Sequence, residues 1–188
     1  ASRIQEEFGK GMTDLSGLIP TIFPETVEVL SDFLGFAARE RVRVLISGGG
    51  TLPEPVLIDD TVRLSLSRMN RVIDVHAGDS VVVAQAGVIV DHAVEAAADE
   101  NLLVPLDPSS GALSTVGGAY MTAATGPYAS GYGLFRDAVI GVKCVTSSGD
   151  VVEFGGRTMK NVTGFEITRF LAGSHGLYAV VAELTMKA

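Results

Sequence analysis

The chain has no tryptophan, one cysteine, few aromatic residues and no excess of basic charge, and each shortage removes a class of reading. The single cysteine, Cys144, leaves nothing to form an internal disulfide or a cysteine metal cluster. As one residue of an alternating run it reads as a small core hydrophobe, not a nucleophile. Lys and Arg number 14 against 22 Asp and Glu, a formal net charge of -8. That balance argues against nucleic acid as a partner, because phosphate backbones select for positive surfaces. No apolar run approaches the about 20 residues that cross a bilayer. The opening ASRIQEEFGK carries acids and lacks the apolar stretch of a secretory signal, so a cytoplasmic location is expected. His76, His92 and His175 are scattered, without the spacing of a metal-binding pair, and no metal site is expected. His92 reads as solvated on the polar side of a helix, and His175, in a glycine loop, as able to approach a ligand.

What the chain does have is glycine and small apolar residues. Charged residues make up 19% and hydrophobic ones 47%, which describes a globular chain with a sizeable core. The stretch from Pro105 to Arg136 is long, rich in Gly, Ala, Ser and Thr, and poor in charge. A loop of that length is unusual in a compact domain unless it has a function. Gly117 and Gly118 lack a Cβ and let a large group approach, with Thr115, Thr122 and Thr125 as small hydroxyl donors. The stretch reads as a mould for a flat, polar cofactor, or alternatively as a glycine-rich turn between core strands. An anionic ligand would be held by backbone N–H groups and helix N-termini more than by a basic patch. Arg136-Asp137 reads as a surface ion pair or a brace for the loop.

Around that stretch the elements follow from periodicity. A short helix is expected near Gln5–Glu7. A clear one follows Pro24, with Val27, Leu30, Leu34 and Ala38 on one face. The β-rich run Val42–Ile46 leads into Ser47-Gly48-Gly49-Gly50-Thr51, the order of an α/β unit whose ligand sits at the strand's end. Strands are expected at Val56–Ile58, over Val62, Leu64 and Leu66, at Ile73 and Val75, and at Val81–Ala84. A helix with Val90, Val94, Ala97 and Ala98 inward precedes the long loop. Ala138–Thr146 and Val151–Phe154 form a hairpin across Ser148-Gly149-Asp150. Asn161–Ala172 is a short helix with Phe165, Phe170 and Leu171 inward, and Tyr178–Met186 is the final strand. The glycine triplet lacks both the G-x-G-x-x-G spacing of a dinucleotide-binding Rossmann turn and the Gly-Lys-Ser/Thr ending of a P-loop.

Six segments, in order, resemble FAD-linked oxidases of the vanillyl-alcohol-oxidase type, with the FAD-binding domain named after p-cresol methylhydroxylase. They are SGGGT at 47–51, LSRMNRVIDV at 66–75, GDSVVVAQAGV at 78–88, VPLDPSSGALSTVGG at 104–118, YGLFRDAVIGVKCV at 132–145 and MKNVTGFEITRFLAGSHG at 159–176. The likeness is greatest to the FAD-binding subunits of glycolate oxidases. It implies an α+β, two-lobed fold. Residues 1–76 would form a small α/β lobe carrying the triplet loop. Residues 77–188 would form a larger lobe of mixed or antiparallel sheet carrying the flavin-facing loop, with no cap domain.

The resemblance also implies roles. Ser47, Gly48, Gly49, Gly50 and Thr51 would wrap the FAD pyrophosphate. Pro105, Asp107 and Pro108, then Thr115, Val116, Gly117 and Gly118, would lie along the flavin and ribityl chain. Thr122, Ala123, Ala124, Thr125 and Gly126 would line the same groove, and His175, Gly176 and Val180 would close it from the other side. No histidine stands within the glycine loop, so FAD would be held non-covalently. The implied activity is flavin-dependent oxidation of a 2-hydroxy acid, glycolate- or lactate-like. A cap-bearing or iron–sulfur partner would complete the enzyme, since no residue here is identified as catalytic. A second reading, a scaffold subunit that has lost FAD, is motivated by Leu52-Pro53-Glu54-Pro55 and by Leu177-Tyr178-Ala179, where Tyr178 would crowd the adenine side.

Overall fold

The computed structural model describes residues 2–17, 19–52, 61–156 and 166–188. Two sheets share one hydrophobic core. The first has the order β1(Thr13–Asp14), β2(Thr21–Ile22), β4(Thr61–Ser65), β3(Arg43–Ser47), with β2, β4 and β3 parallel. Parallel neighbours need a crossover, and between β2 and β3 that is α2(Val27–Arg39). Thr26 caps α2 by accepting the Val29 N–H, and Glu28 and Arg39 lie at the ends that suit the helix dipole. Its buried face is Leu30, Phe33, Leu34, Phe36 and Ala37, so Ala38, expected inward, is exposed one step round the helix. The short α1(Ser2–Phe8) sets Phe8 edge-on to Phe33 and Phe36, at 5.7 and 5.6 Å between centroids.

The second sheet is antiparallel throughout, in the order β5(Val72–His76), β6(Val81–Gln85), β9(Ala179–Lys187), β7(Val139–Thr146), β8(Val151–Gly155). Every residue of β6 is buried, as an unbroken apolar run implies. β5 departs from its expected alternation. A register shift between Val72 and Asp74 turns Ile73 to solvent while Val72 and Val75 pack against the core. The first sheet ends at Ser65 and the second begins at Val72, on either side of a turn in which Met69 is fully buried. The expected β7–β8 hairpin is present, and its Gly149, at φ 91°, presses against α2, where Ser31 Oγ donates to the Gly149 carbonyl at 2.5 Å. This contact ties the helix of the first sheet to the second.

Three expectations change between Val90 and Ala179. The stretch from Pro105 to Arg136 is not a bare loop: it contains α4(Val116–Met121) and α5(Ala129–Tyr132), and α6(Phe135–Ala138) follows directly. The hidden start signal was Thr115, whose hydroxyl caps α4 by accepting the Gly118 N–H. In α3(Val90–Asp99) the buried residues are Val90, Ala93 and Ala97, and Ala98 is exposed. In α7(Ile167–Leu171) Leu171 is buried, but Phe170 faces outward and stacks on Tyr178 at 4.7 Å. The expected strand at 56–58 and the expected start of that last helix at 161–165 lie outside the described residues. Among the described residues no helix is long and apolar enough to cross a membrane.

Candidate functional site

Where the two sheets meet, a cleft of about 700 Å³ opens. Its floor is the end of β3, Leu66 after β4, Ala86 after β6 and the start of β9. One wall is Ser47-Gly48-Gly49-Gly50-Thr51; the other is Pro108, Thr115, Gly117 and Gly118 with Thr122, Ala124 and Thr125; His175, Gly176 and Val180 close a third side. Two glycine-rich runs far apart in the sequence thus face one another across one space.

They meet because their backbones touch. A Cβ on Gly48 would overlap the Thr115 hydroxyl, and one on Gly49 would overlap the Leu113 carbonyl oxygen. Only glycine allows the triplet loop to lie so close to the loop before α4. Gly50, at φ 68°, faces open space. Among the described residues, no protein group accepts the N–H groups of Gly48, Gly49, Gly50 or Thr51. Four consecutive donors without an acceptor among the described residues thus lie at a strand's end, the arrangement from which anion-binding concavities are built.

The N-terminus of α4 behaves otherwise. Its first three N–H groups donate to the Val88 carbonyl (2.8 Å), the Ala86 carbonyl (2.8 Å) and the Thr115 hydroxyl (3.1 Å). The expectation that helix N-termini bind an anion therefore fails here, because internal packing uses those donors. The two adjacent glycines also serve different neighbours. A Cβ on Gly117 would lie 2.5 Å from the Ala86 Cβ and 2.8 Å from its carbonyl oxygen, so this glycine lets α4 sit against the end of β6. A Cβ on Gly118 would meet only its own cap, Thr115 Oγ1, at 2.9 Å, and would stand in the cleft. Of the threonines expected to donate, Thr122 Oγ1 already gives its proton to the Gly118 carbonyl at 2.8 Å, whereas Thr115 and Thr125 line the cleft.

Five residues expected at the site do not line it: Pro105, Asp107, Val116, Ala123 and Gly126. Val116 is fully buried in the core. The Asp107 carboxylate accepts the Tyr128 N–H at 2.6 Å, and a Cβ on Gly126 would overlap the Asp107 carbonyl oxygen. Asp107 and Gly126 thus hold the two arms of the long stretch together. Pro105 is half-buried between the core residues Val104 and Leu106, and Ala123 is exposed at φ 50° in the turn after α4. Conversely, Leu45, Ile46, Ala86, Met121 and Val181 line the cleft and carried no signal in the sequence beyond being apolar. Tyr178, expected to crowd it, does not line it and stacks on Phe170 instead. Arg136 does not pair with Asp137, which is bridged by Arg169 at 3.1 Å. Cys144 is fully buried and free.

The third side of the cleft is fastened to α4. The Gly173 N–H donates to the Tyr120 carbonyl at 3.1 Å and the His175 N–H to the Met121 carbonyl at 2.9 Å. The buried Tyr120 hydroxyl donates to the Thr168 carbonyl, in α7, just before that loop. Burial, chiefly, pushes the Tyr120 phenol above its ordinary range, so it remains a donor at any physiological pH.

Comparison with known proteins gives the family and the fold. Residues 20–155 match the family described as FAD binding domain. The chain is 30% identical over 184 residues to a D-2-hydroxyglutarate dehydrogenase of Stutzerimonas stutzeri, covering 96% of this chain and 40% of that protein. It is 31% identical to glycolate oxidase subunit GlcD of Bacillus subtilis, over 88% of this chain and 36% of that one. It is 33% identical to the mitochondrial D-lactate dehydrogenase [cytochrome] of Arabidopsis thaliana, over 88% and 29%. Among solved structures, an alkyldihydroxyacetonephosphate synthase superposes with a TM-score of 0.80 at 24% identity, over 89% of this chain and 31% of that one, which establishes the shared fold. The chain spans well under half the length of each of these proteins.

Proposed function

The chain belongs to the FAD binding domain family, and from that premise we propose that it is the FAD-holding part of a flavin-dependent 2-hydroxy-acid dehydrogenase or oxidase, with a glycolate- or lactate-like substrate. One observation carries the assignment of the site: two glycine-rich walls enclose a single cleft, and one of them presents four successive N–H groups with no acceptor among the described residues. The residues present fit the cofactor. Gly48–Thr51 would hold the pyrophosphate by their N–H groups. Thr115 and Gly118 would lie along the flavin and ribityl chain, with Thr125 on the same wall and Gly176 and Val180 opposite. Asp107, Gly126 and Val116 would act one layer back, by fixing the shape of that wall. The absence of histidine from the triplet loop supports non-covalent binding.

When bound, FAD would supply a two-electron acceptor for the hydride of the substrate α-carbon, and the hydroxyl proton would pass to a base outside the described cleft residues, so that a 2-hydroxy acid becomes a 2-oxo acid. This chain's contribution is to grip the cofactor and exclude water from one of its faces. Substrate recognition needs more. A 2-hydroxy acid carries a carboxylate, and the described cleft residues include no Lys, Arg, Asp or Glu. The proposal therefore includes a cap-bearing segment or a partner subunit, iron–sulfur in kind, that supplies the substrate's charge partner and removes the electrons. A free, buried cysteine also suits a reducing compartment, and the cytoplasm is the proposed location.

Protein incubated with FAD and desalted is expected to keep a flavin absorption band at one FAD per chain; a colourless sample overturns the reading. Mixed anaerobically with glycolate or D-lactate, the loaded chain alone is expected to keep that band. Bleaching without a second component would contradict the need for one.

A further inference from the structure

We propose that His175 is the one positive charge that the described residues of the cleft can offer to the phosphates of FAD, so that cofactor binding takes up a proton on its imidazole. This inference rests on the reading of the cleft as the FAD site. Three observations lead to it.

Among the described residues that line the cleft, His175 is the only one with a titratable side chain. The rest are Gly, Ala, Ser, Thr, Pro and aliphatic residues or Met. The chain as a whole is acidic, at -8, so a pyrophosphate entering the cleft meets a repulsive field, with no fixed cation among the described lining residues to offset it.

His175 is also held where such a charge would act. It sits at φ 53°, between Gly173 at φ 75° and Gly176 at φ 80°, in a left-handed turn that non-glycine residues rarely adopt. Its N–H is anchored on the Met121 carbonyl, and Gly176 lies so close to Ile46 that a Cβ would overlap the Ile46 Cδ1 atom. Ile46 is the penultimate residue of β3, immediately before Ser47 and the glycine triplet. The loop that carries His175 is thus pressed against the strand end from which the four N–H donors emerge. Its side chain is exposed and has no protein hydrogen bond among the described residues.

Among the described residues, no other charge is placed to substitute for it. On α4 the only ionisable group is the buried Tyr120, committed to Thr168. On β3 the only charge is Arg43, at the far end of the strand. On β9, Glu183 is engaged with Lys143, and Lys187 is the last residue of the strand, away from the loop. On α7, Arg169 is held by Asp137 and Glu166. Among the described residues, two acids touch the stretch that forms the opposing wall: Asp107, which accepts the Tyr128 N–H, and Asp91, whose Oδ1 a Gly111 Cβ would overlap. Histidine gains or loses its charge in the physiological pH range, and a neighbouring anion favours the charged form.

The test is FAD affinity, measured by quenching of flavin fluorescence at about pH 6 and about pH 8.5, with riboflavin, which lacks phosphates, as the control probe. The unaltered chain is expected to bind FAD about tenfold more weakly at the higher pH, the effect of one partly screened ion pair. His175→Asn tolerates the left-handed turn and should bind FAD weakly at both pH values. His175→Arg should bind it tightly at both, and riboflavin binding should not vary with pH in any of them. Thermal melts of the variants separate loss of charge from loss of fold. FAD affinity in the unaltered chain that does not change with pH overturns the inference, as does an undiminished pH dependence in His175→Asn; both leave FAD binding itself intact. FAD that fails to bind at either pH overturns the assignment of the cleft and this inference with it.

Discussion

Gly117 and Gly118 are neighbours in sequence and separate in purpose, and the distinction yields a paired prediction. Gly117→Val drives a branched side chain into Ala86 and should destabilise the fold by about 3 kcal/mol or more, seen as a large drop in Tm. Gly118→Val places the same side chain in the cleft. It disturbs only the cap made by Thr115, a cost of about 1 kcal/mol, and should abolish FAD uptake in a protein that still melts cooperatively. Unchanged FAD affinity in Gly118→Val counts against the groove. The sequence marked both glycines as cofactor-facing. It could not separate them, because the distinction lies in what each Cα approaches from elsewhere in the chain. Gly126 and Asp107 show the same limit: the pair was legible as important, but its contact is internal. Cys144 is a core residue, as its place in an alternating run implies. Burial pushes its thiol up to about 11, so little thiolate exists near neutrality. The native chain should not react with a thiol reagent at about pH 7.5, and one equivalent should react after unfolding; rapid native labelling contradicts the burial.

At the level of elements, α4 joins two sides of the cleft. Its first turn lies on β6 and its last carbonyls hold the 173–175 loop, while Tyr120 reaches Thr168 in α7. Tyr120→Phe removes that last bond and leaves a carbonyl without its donor. It should cost about 1 kcal/mol of stability and weaken FAD binding, because the third side of the cleft is no longer fixed. A loss of stability with FAD affinity untouched would show that α7 does not position the loop. On the second sheet, Lys143 stands opposite Glu153 on β8 and Glu183 on β9, at 3.1 and 3.3 Å. The Glu153 hydrogen bond, foremost, raises the Lys143 pKa. A raised pKa means that this stability is fully present below the unfolded-state value and is lost as pH climbs through the folded one. Lys143→Met should therefore cost no more than about 1 kcal/mol at neutral pH, with the difference from the unaltered chain shrinking under strong alkali. Long, strongly periodic elements such as α2 and β6 were legible in the sequence. Those that differed had physical reasons: the shift in β5 exposed Ile73, and a single capping threonine started α4 within a stretch whose glycines argued for loop. Phe170 turned outward because its ring partner, Tyr178, lies beyond the next loop.

As a whole molecule, the described chain is two sheets around one core, with a glycine-rich seam between them whose described lining includes no Lys, Arg, Asp or Glu. The order of motifs made the family and the two-sheet plan legible, since glycine loops at strand ends are local signals. The meeting of the two loops was an inference from the resemblance, because no local pattern encodes contact between residues 49 and 113. A ligand that binds in that seam bridges both sheets and binds only the folded state. FAD at a hundred times its Kd should therefore raise stability by about 2.7 kcal/mol, read as a higher Tm, and riboflavin should raise it less. An unmoved Tm at saturating FAD contradicts binding between the sheets. The most direct measurement is a crystal structure of this chain grown with FAD. The account predicts pyrophosphate density within hydrogen-bonding distance of the N–H groups of Gly48 to Thr51, with the flavin ring along Gly118. FAD bound elsewhere on the surface, or a seam closed by the protein's own side chains, would contradict it.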